Sequence, residues 1–190
     1  MTIEITLLIA CAVASRLAYV GWVGHALRQQ DAHQALTRDA GVEAGYQRFR
    51  QRATVLMRAD ALAIVAVCIV TRNTLQLPGP RWVTLAIAGL LVVLGLGSKV
   101  WAARTLGDDA YYWRNFFDPR EHAPPNPPGP YRYLDNPMYT VGYLHAYGLA
   151  LALGSGAGLA LSLFDQAAIL AFHYLVEKPH YDRLTLGSRR

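Results

Sequence analysis

The stretch Arg81-Trp82-Val83-Thr84-Leu85-Ala86-Ile87-Ala88-Gly89-Leu90-Leu91-Val92-Val93-Leu94-Gly95-Leu96-Gly97-Ser98-Lys99-Val100-Trp101 decides the fold class. Between Arg81 and Lys99 it holds no charged residue. An apolar run of roughly 20 residues is what a helix needs to cross a bilayer. Trp82 and Trp101 sit at its two edges, where tryptophan suits the two membrane–water interfaces.

Working outward, residues 3–27 form a second apolar run, interrupted by Arg16. An arginine inside a span must face protein, water or an acidic partner. Residues 28–54 are polar and rich in arginine, and read as a loop carrying a short amphipathic helix around 41–54. Residues 55–71 read as another span. Arg58 and Asp60 stand near its start and are expected to pair with each other or with neighbouring helices. Pro78-Gly79-Pro80 marks a turn over 72–81. In the long polar segment 104–137, the cluster Pro124-Pro125-Asn126-Pro127-Pro128-Gly129-Pro130 forbids a helix and favours an extended strap. The last apolar block, 138–176, is about twice the length of one span. Gly154-Ser155-Gly156 near its middle reads as a hairpin turn. The expectation is an all-α, integral membrane helical bundle of about five transmembrane helices in a single domain, 1–190.

Composition agrees. The charged fraction is 16%, against about 25% in soluble domains. The net charge of +5 lies between the apolar runs, as solvated loops obeying a topology rule would place it. No basic helix or aromatic–basic ribbon argues for nucleic acid. Cys11 and Cys68 lie inside apolar runs without CxxC spacing, so neither a disulfide framework nor a metal site is expected. Met1-Thr2-Ile3-Glu4 is acidic where a cleavable signal would be positive, so the first run is expected to stay.

With the N-terminus outside, the inner side receives Arg28, Arg38, Arg48, Arg50, Arg52, Arg104, Arg114, Arg120, Arg132, Lys178, Arg183, Arg189 and Arg190. The outer side receives only Arg72 and Arg81. Thirteen cations against two predict a bacterial-inner-membrane type of topology with the working face toward the cytoplasm.

Three clusters fall on that face: Gly95-Leu96-Gly97; Gly129-Pro130-Tyr131-Arg132-Tyr133-Leu134-Asp135-Asn136-Pro137-Met138-Tyr139; and Glu177-Lys178-Pro179-His180-Tyr181. Each also has a plain structural reading. Gly-x-Gly packs helices closely. Asn136-Pro137 starts a helix. Glu177 sits solvated at a helix exit. Tyr139, Tyr143 and Tyr147, spaced by four, pack a core, as do His145 and His173.

Together the clusters resemble a family. The Gly129–Tyr139 stretch resembles the signature of small membrane methyltransferases, the isoprenylcysteine carboxyl methyltransferases and phospholipid N-methyltransferases. Leu134-Asp135-Asn136-Pro137-Met138-Tyr139 is most similar to the phosphatidylethanolamine N-methyltransferase branch. Gly95-Leu96-Gly97 with Leu106-Gly107-Asp108 resembles that branch's glycine motif and the Leu-Gly-Asp after it. Glu177-Lys178-Pro179 resembles its Glu-Glu-Pro, with Lys178 in place of the second acid. The resemblance covers about 82–183, the catalytic half.

The resemblance implies S-adenosylmethionine as cofactor and a membrane lipid as substrate, with no metal. It implies cofactor contacts at Gly95, Gly97, Tyr131, Asn136, Pro137, Tyr139, Gly142, Tyr143, Glu177 and Lys178. A carboxylate such as Glu177 can accept from the cofactor's amino group or ribose, and glycines let backbone approach closely. A sulfonium over Tyr139 and Tyr143 gains cation–π attraction. Methyl transfer to an amine is mostly positioning, preceded by loss of the amine's proton to Asp108, Glu177 or His145. Three other readings stand beside it: methylation of a carboxyl or thiol on a lipidated or small hydrophobic substrate, an NADPH-dependent sterol or steroid reductase, and a membrane scaffold. Reductases of that kind show an Arg-His pair that this chain lacks. A scaffold needs no convergence of three motifs on one face.

Overall fold

The computed structural model of the chain describes residues 2–118, 129–134 and 136–187, apart from the side chains of Asp108 and of 185–187. The Pro124–Pro128 part of the expected strap lies outside the described residues, as does the Asp108 side chain. All regular structure among the described residues is helical: α1 (Ile3–His33), α2 (Val42–Val70), α3 (Arg81–Tyr111), α4 (Leu144–Leu153), α5 (Gly156–Phe172) and α6 (Lys178–Gly187). One π-helical turn, His173–Glu177, joins α5 to α6.

The spans are membrane-like in exposure as well as composition. Along α3, Leu90 and Val93 are 58% and 68% exposed, and almost nothing but Ala88, Gly95 and Ala102 is buried. A helix apolar all round and left uncovered by protein is a lipid-facing helix. Among the described residues, four stretches are long and apolar enough to cross a membrane: Ile3–His33, Val42–Val70, Arg81–Gly107 and Gly156–Leu184.

The fifth expected crossing is the shorter α4, which brings the chain back to the end where 73–75 lies. The 138–176 block does turn at Gly154-Ser155-Gly156, where Gly154 takes a left-handed φ of 62°. Its first half is short, however: the apolar helix covers only Val141–Leu153, about 20 Å at 1.5 Å per residue. The residues before it are spent on tight turns, with Thr140 N donating to Asn136 O and Gly142 N to Pro137 O.

Over 28–54 the helix expected around 41–54 is present as the start of α2, and the loop expected before it is shorter, because α1 runs on. α1 continues to His33 and α2 starts at Val42. Arg28, Arg38, Arg48 and Arg52 ride exposed faces and Arg50 lies half-buried over the Tyr112 ring, while Tyr46, Phe49 and Ala53 point inward.

Both ends of the bundle are tied. At one end Asn73 N donates to Leu153 O, Leu75 N to Gly154 O and Arg81 to Ala152 O, while Thr71 Oγ1 and Ser155 Oγ lie 2.6 Å apart. At the other, Tyr46, Phe49, Trp113, Phe116, Phe117 and Phe172 build an aromatic core. Phe49 and Phe172 both meet the Trp113 ring edge to face, at 6.1 and 5.7 Å. Asp31 at the end of α1 accepts from His180 (2.9 Å) and Arg183 of α6, and the His180 ring stacks on Phe116.

α3 and α4 run against each other through glycine. A Cβ on Gly148 would lie 2.6 Å from Ala88 O and 2.8 Å from Val92 Cγ2; one on Gly95 would collide with the His145 backbone nitrogen. Gly148→Leu should therefore force α4 off α3. Overpacking of this kind costs about 1–3 kcal/mol, read as a lower melting temperature in detergent. Gly89→Ala, with open space around it, should melt with the wild type; equal melting of the Gly148 variant would refute the close approach.

Candidate functional site

Between the helices lies a cavity of about 500 Å³, in the range of small-molecule sites, roughly 300–1,000 Å³. It is layered along the bundle. Tyr111, Tyr112, Trp113 and Tyr139 line the end nearer the aromatic core; Arg16, Asp60, Lys99, Tyr143, His145 and Asp165 form the middle; Ala61, Ile64, Val65 and Leu149 line the apolar end.

The charged residues of the middle layer come from four helices, α1, α2, α3 and α5. Arg16 of α1 sits between Asp60 of α2, Nη2 to Oδ2 at 2.6 Å, and Asp165 of α5, Nε to Oδ1 at 3.2 Å. The same Nη2 donates to the Tyr143 hydroxyl at 2.7 Å. All of these groups are buried. A buried guanidinium survives because two carboxylates balance its charge. Lys99 Nζ lies 5.4 Å from the Tyr143 ring centroid. Among the described residues no carboxylate stands within ion-pairing distance of it.

The aromatic end is positioned by the loop after α3. Gly107 takes φ 76°, ψ 163° and breaks the helix, a conformation glycine adopts freely. Trp113 then takes φ 58°, ψ 34°, unusual for a bulky side chain and a mark of local strain held by its surroundings. Its Nε1–H donates to Glu177 Oε1. The Tyr139 hydroxyl donates to the same oxygen at 2.9 Å, and His173 Nδ1 lies 2.6 Å from Oε2. Glu177 is thus 6% exposed and triply held, not a solvated helix end. The π turn of His173–Glu177 sets the two partners four residues apart on the face that meets Tyr139; such turns recur at functional sites. Burial raises the Tyr111 and Tyr131 phenols above their ordinary value, so both remain donors at neutral pH.

The structure gathers some of the residues expected from sequence and separates others. Tyr139, Tyr143 and His145 line the cavity. Glu177 stands one layer behind, under Trp113 and Tyr139. Asn136 closes the turn, its Oδ1 accepting from Tyr139 N at 3.2 Å and its Nδ2 lying 3.0 Å from His173 Nδ1. Pro137 is fully buried, and Gly142 admits the Lys99 side chain, whose Cγ a Cβ would meet at 2.9 Å. His145 Nδ1 donates to Gly142 O at 2.5 Å, which leaves Nε2 as the ring's acceptor. Gly95 serves the crossing of α3 and α4, Gly97 faces open space, and Tyr131 sits half-buried on its own turn, off the cavity. Lys178 points to Asp182, 3.1 Å away on an exposed face. The sequence reading missed the ionic layer as a unit. Its signal was there in the charges inside apolar runs, but nothing in one dimension joined Asp165 and Lys99 to Arg16 and Asp60.

The phospholipid methyltransferase family matches residues 83–184, more than half of the chain. The chain belongs to that family. Among curated relatives, the chain is similar to the phosphatidylethanolamine N-methyltransferases of Clavispora lusitaniae (31% identical over 144 residues, 72% of this chain and 17% of the relative) and Talaromyces marneffei (33% over 141 residues, 72% and 14%). It is likewise similar to that of Emericella nidulans (39% over 103 residues, 54% and 10%). The chain thus spans only 10–17% of the length of these three relatives. No solved structure matches it. The family match begins inside α3, so Arg16 and Asp60 of the ionic layer lie outside it.

Removing one partner of a buried ion pair costs about 3–5 kcal/mol, because the other charge is stranded. Arg16→Met should therefore lower the melting temperature in detergent sharply. Arg16→Met combined with Asp60→Asn and Asp165→Asn should recover most of the loss. A single variant that melts with the wild type would show that the network does not hold the bundle.

Proposed function

We propose that the chain moves a methyl group from S-adenosylmethionine to the amine of a phosphatidylethanolamine-type membrane phospholipid. The observation that carries the reading is the Glu177 network, which holds the rings of Trp113 and Tyr139 as a wall of a cavity inside a membrane bundle. When bound, the cofactor supplies an electrophilic methyl on a sulfonium.

The residues present suit such a group. A cation gains attraction over aromatic faces, and Tyr111, Trp113, Tyr139 and Tyr143 offer four rings on the cavity. Three donors take three of the roughly four acceptor positions on the Glu177 carboxylate, leaving one for an amino or hydroxyl group. His173 Nδ1 carries one proton at most, and directing it to Glu177 frees the Asn136 amide, 3.0 Å away, to donate to a ribose oxygen. Lys178, engaged with Asp182 on the surface, and Gly97, facing outward, are left out of the proposed contacts. Gly95 contributes by bringing α4 and its His145 against α3.

The accepting amine reaches the reaction as an ammonium with a pKa near 10.4 in the lysine analogue. Burial favours its neutral form. His145 is the proposed base: it lines the cavity, and its hydrogen bond to Gly142 O leaves Nε2 ready to accept a proton. Glu177 is hydrogen-bonded behind the wall and acts in positioning. Water is kept out by the apolar end and the ring wall, so that the remaining work is alignment. The arginine bias supports a cytoplasmic orientation of this face; the named relatives are fungal, so nothing but that bias supports a bacterial-inner-membrane type of topology.

Titration calorimetry of the detergent-solubilised protein should show binding of S-adenosylmethionine and not of NADPH. Incubation with phosphatidylethanolamine should yield an N-methylated lipid. Losing one charge-assisted hydrogen bond costs about 1.5–3 kcal/mol, roughly ten- to a hundred-fold in affinity. Glu177→Gln should therefore bind the cofactor at least about tenfold more weakly, and Lys178→Glu should bind as wild type. Absence of cofactor binding by the wild type would overturn the reading. Cysteines placed in the 72–80 turn should label only from outside intact cells; labelling from the cytoplasmic side would reverse the orientation.

A further inference from the structure

The cavity has an open side. α2 packs on α1, α4 and α5, and α3 packs on α4; α2 and α3 meet near one end, where the Tyr46 hydroxyl donates to Asp109 O at 3.3 Å, but are not among the closely packed helix pairs. The cavity reaches that seam from within, touching Ala61 and Val65 of α2 and Val100 of α3, all exposed. Apolar rims on a lipid-facing seam admit hydrocarbon, not water.

Charge at the seam is unbalanced. The charged residues lining the cavity are Arg16, Arg58, Lys99, Asp60 and Asp165, three cations against two carboxylates. Arg16 is held by both carboxylates. Arg58 on α2 and Lys99 on α3 are left over, and among the described residues neither has a carboxylate within ion-pairing distance. They stand on the two sides of the seam. Lys99 lies two residues before Trp101, at the interfacial edge of the α3 span. Long cationic side chains at that depth reach toward headgroups. The surplus of one positive charge matches the single negative charge of a phosphodiester. A guanidinium can take two of its oxygens while an ammonium supplies a point charge.

We propose that the seam between α2 and α3 is a lateral portal for a phospholipid, and that Arg58 and Lys99 clamp its phosphodiester with the acyl chains still in the bilayer. The headgroup amine is thereby directed inward, past Asp60, toward His145 and the aromatic wall. This rests on the methyl-transfer reading for its purpose, but not for its test. It also gives α2 a part in substrate binding, since half of the clamp comes from outside the residues that the family match covers.

The test uses the full chain in detergent and water-soluble short-chain lipids. Wild-type protein is titrated with dihexanoylphosphatidylethanolamine, with dihexanoylglycerol, which lacks the phosphate, and with inorganic phosphate, which lacks the chains. The phospholipid should bind at least about tenfold more tightly than either. Lys99→Gln and Arg58→Gln should each weaken the phospholipid about tenfold and leave dihexanoylglycerol unchanged, whereas Lys99→Arg should retain affinity. Circular dichroism melts check that the variants are folded, and the unchanged dihexanoylglycerol affinity shows an intact cavity. Wild-type phospholipid affinity in both glutamine variants would overturn the clamp. Inorganic phosphate binding as tightly as the phospholipid would make this a free-phosphate site and overturn the lipid assignment. For the portal, Val65→p-benzoylphenylalanine and Val100→p-benzoylphenylalanine in phosphatidylethanolamine vesicles should each crosslink to lipid in a manner that dihexanoylphosphatidylethanolamine suppresses; no such competition at either position would overturn it. S-adenosylmethionine is titrated in the same samples. Its failure to bind wild type would sink methyl transfer while the clamp stood, and its normal binding beside unaffected Lys99→Gln and Arg58→Gln variants would do the reverse.

Discussion

A guanidinium buried within a lipid-exposed bundle is the constraint around which the rest is arranged. Arg16 cannot shed its proton, so the fold must bring it partners. Asp60 arrives from α2, Asp165 from α5 and the Tyr143 hydroxyl from the segment leading into α4. One side chain of α1 thereby fixes the rotation of three other elements. Apolar packing alone fixes rotation weakly here, since lipid tails are as apolar as the helix surfaces they would leave. The ionic layer supplies directional contacts in a place where general burial supplies few.

A second polar centre, one layer away, works by the same logic. Glu177 gathers an indole N–H, a phenol and an imidazole from three parts of the chain. Gly107 permits the break that turns the chain after α3, and Trp113 accepts a left-handed backbone to reach the carboxylate. Between the two centres lies the cavity, with a polar layer below its aromatic wall and an apolar end beyond. The proposed chemistry uses this sequence of environments: an anion-binding edge for the headgroup, a proton acceptor, and rings for a cation.

Glycine organises the remaining geometry in two distinct ways. At Gly95 and Gly148 it removes side chains so that α3 and α4 meet backbone to backbone, which leaves α3 little freedom to lean toward α2. The seam between α2 and α3 is a consequence. At Gly142 the missing Cβ is filled by the Lys99 side chain, which keeps that ammonium in the cavity. Close packing on one flank of α3 thus opens the other.

The sequence by itself determined the class of the protein. Runs such as 81–101 are long, apolar and edged by tryptophan, and no soluble core requires that. The hairpin at Gly154-Ser155-Gly156 was equally legible, because its turn chemistry is local. The motifs around Asn136-Pro137 and Glu177 were readable as a resemblance, and the family match over 83–184 bears that out. The tertiary structure alone decided which partners those residues meet. Hydropathy cannot tell an exposed polar face of a long helix from a loop, so 28–54 resolved into the ends of α1 and α2. Nor does it show that 137–143 is spent on turns before α4. Above all, a charge in an apolar run announces that it has a partner but not which one. Arg16, Asp60, Lys99 and Asp165 lie up to 149 residues apart, and only the rotation of four helices about their axes brings them to one cavity.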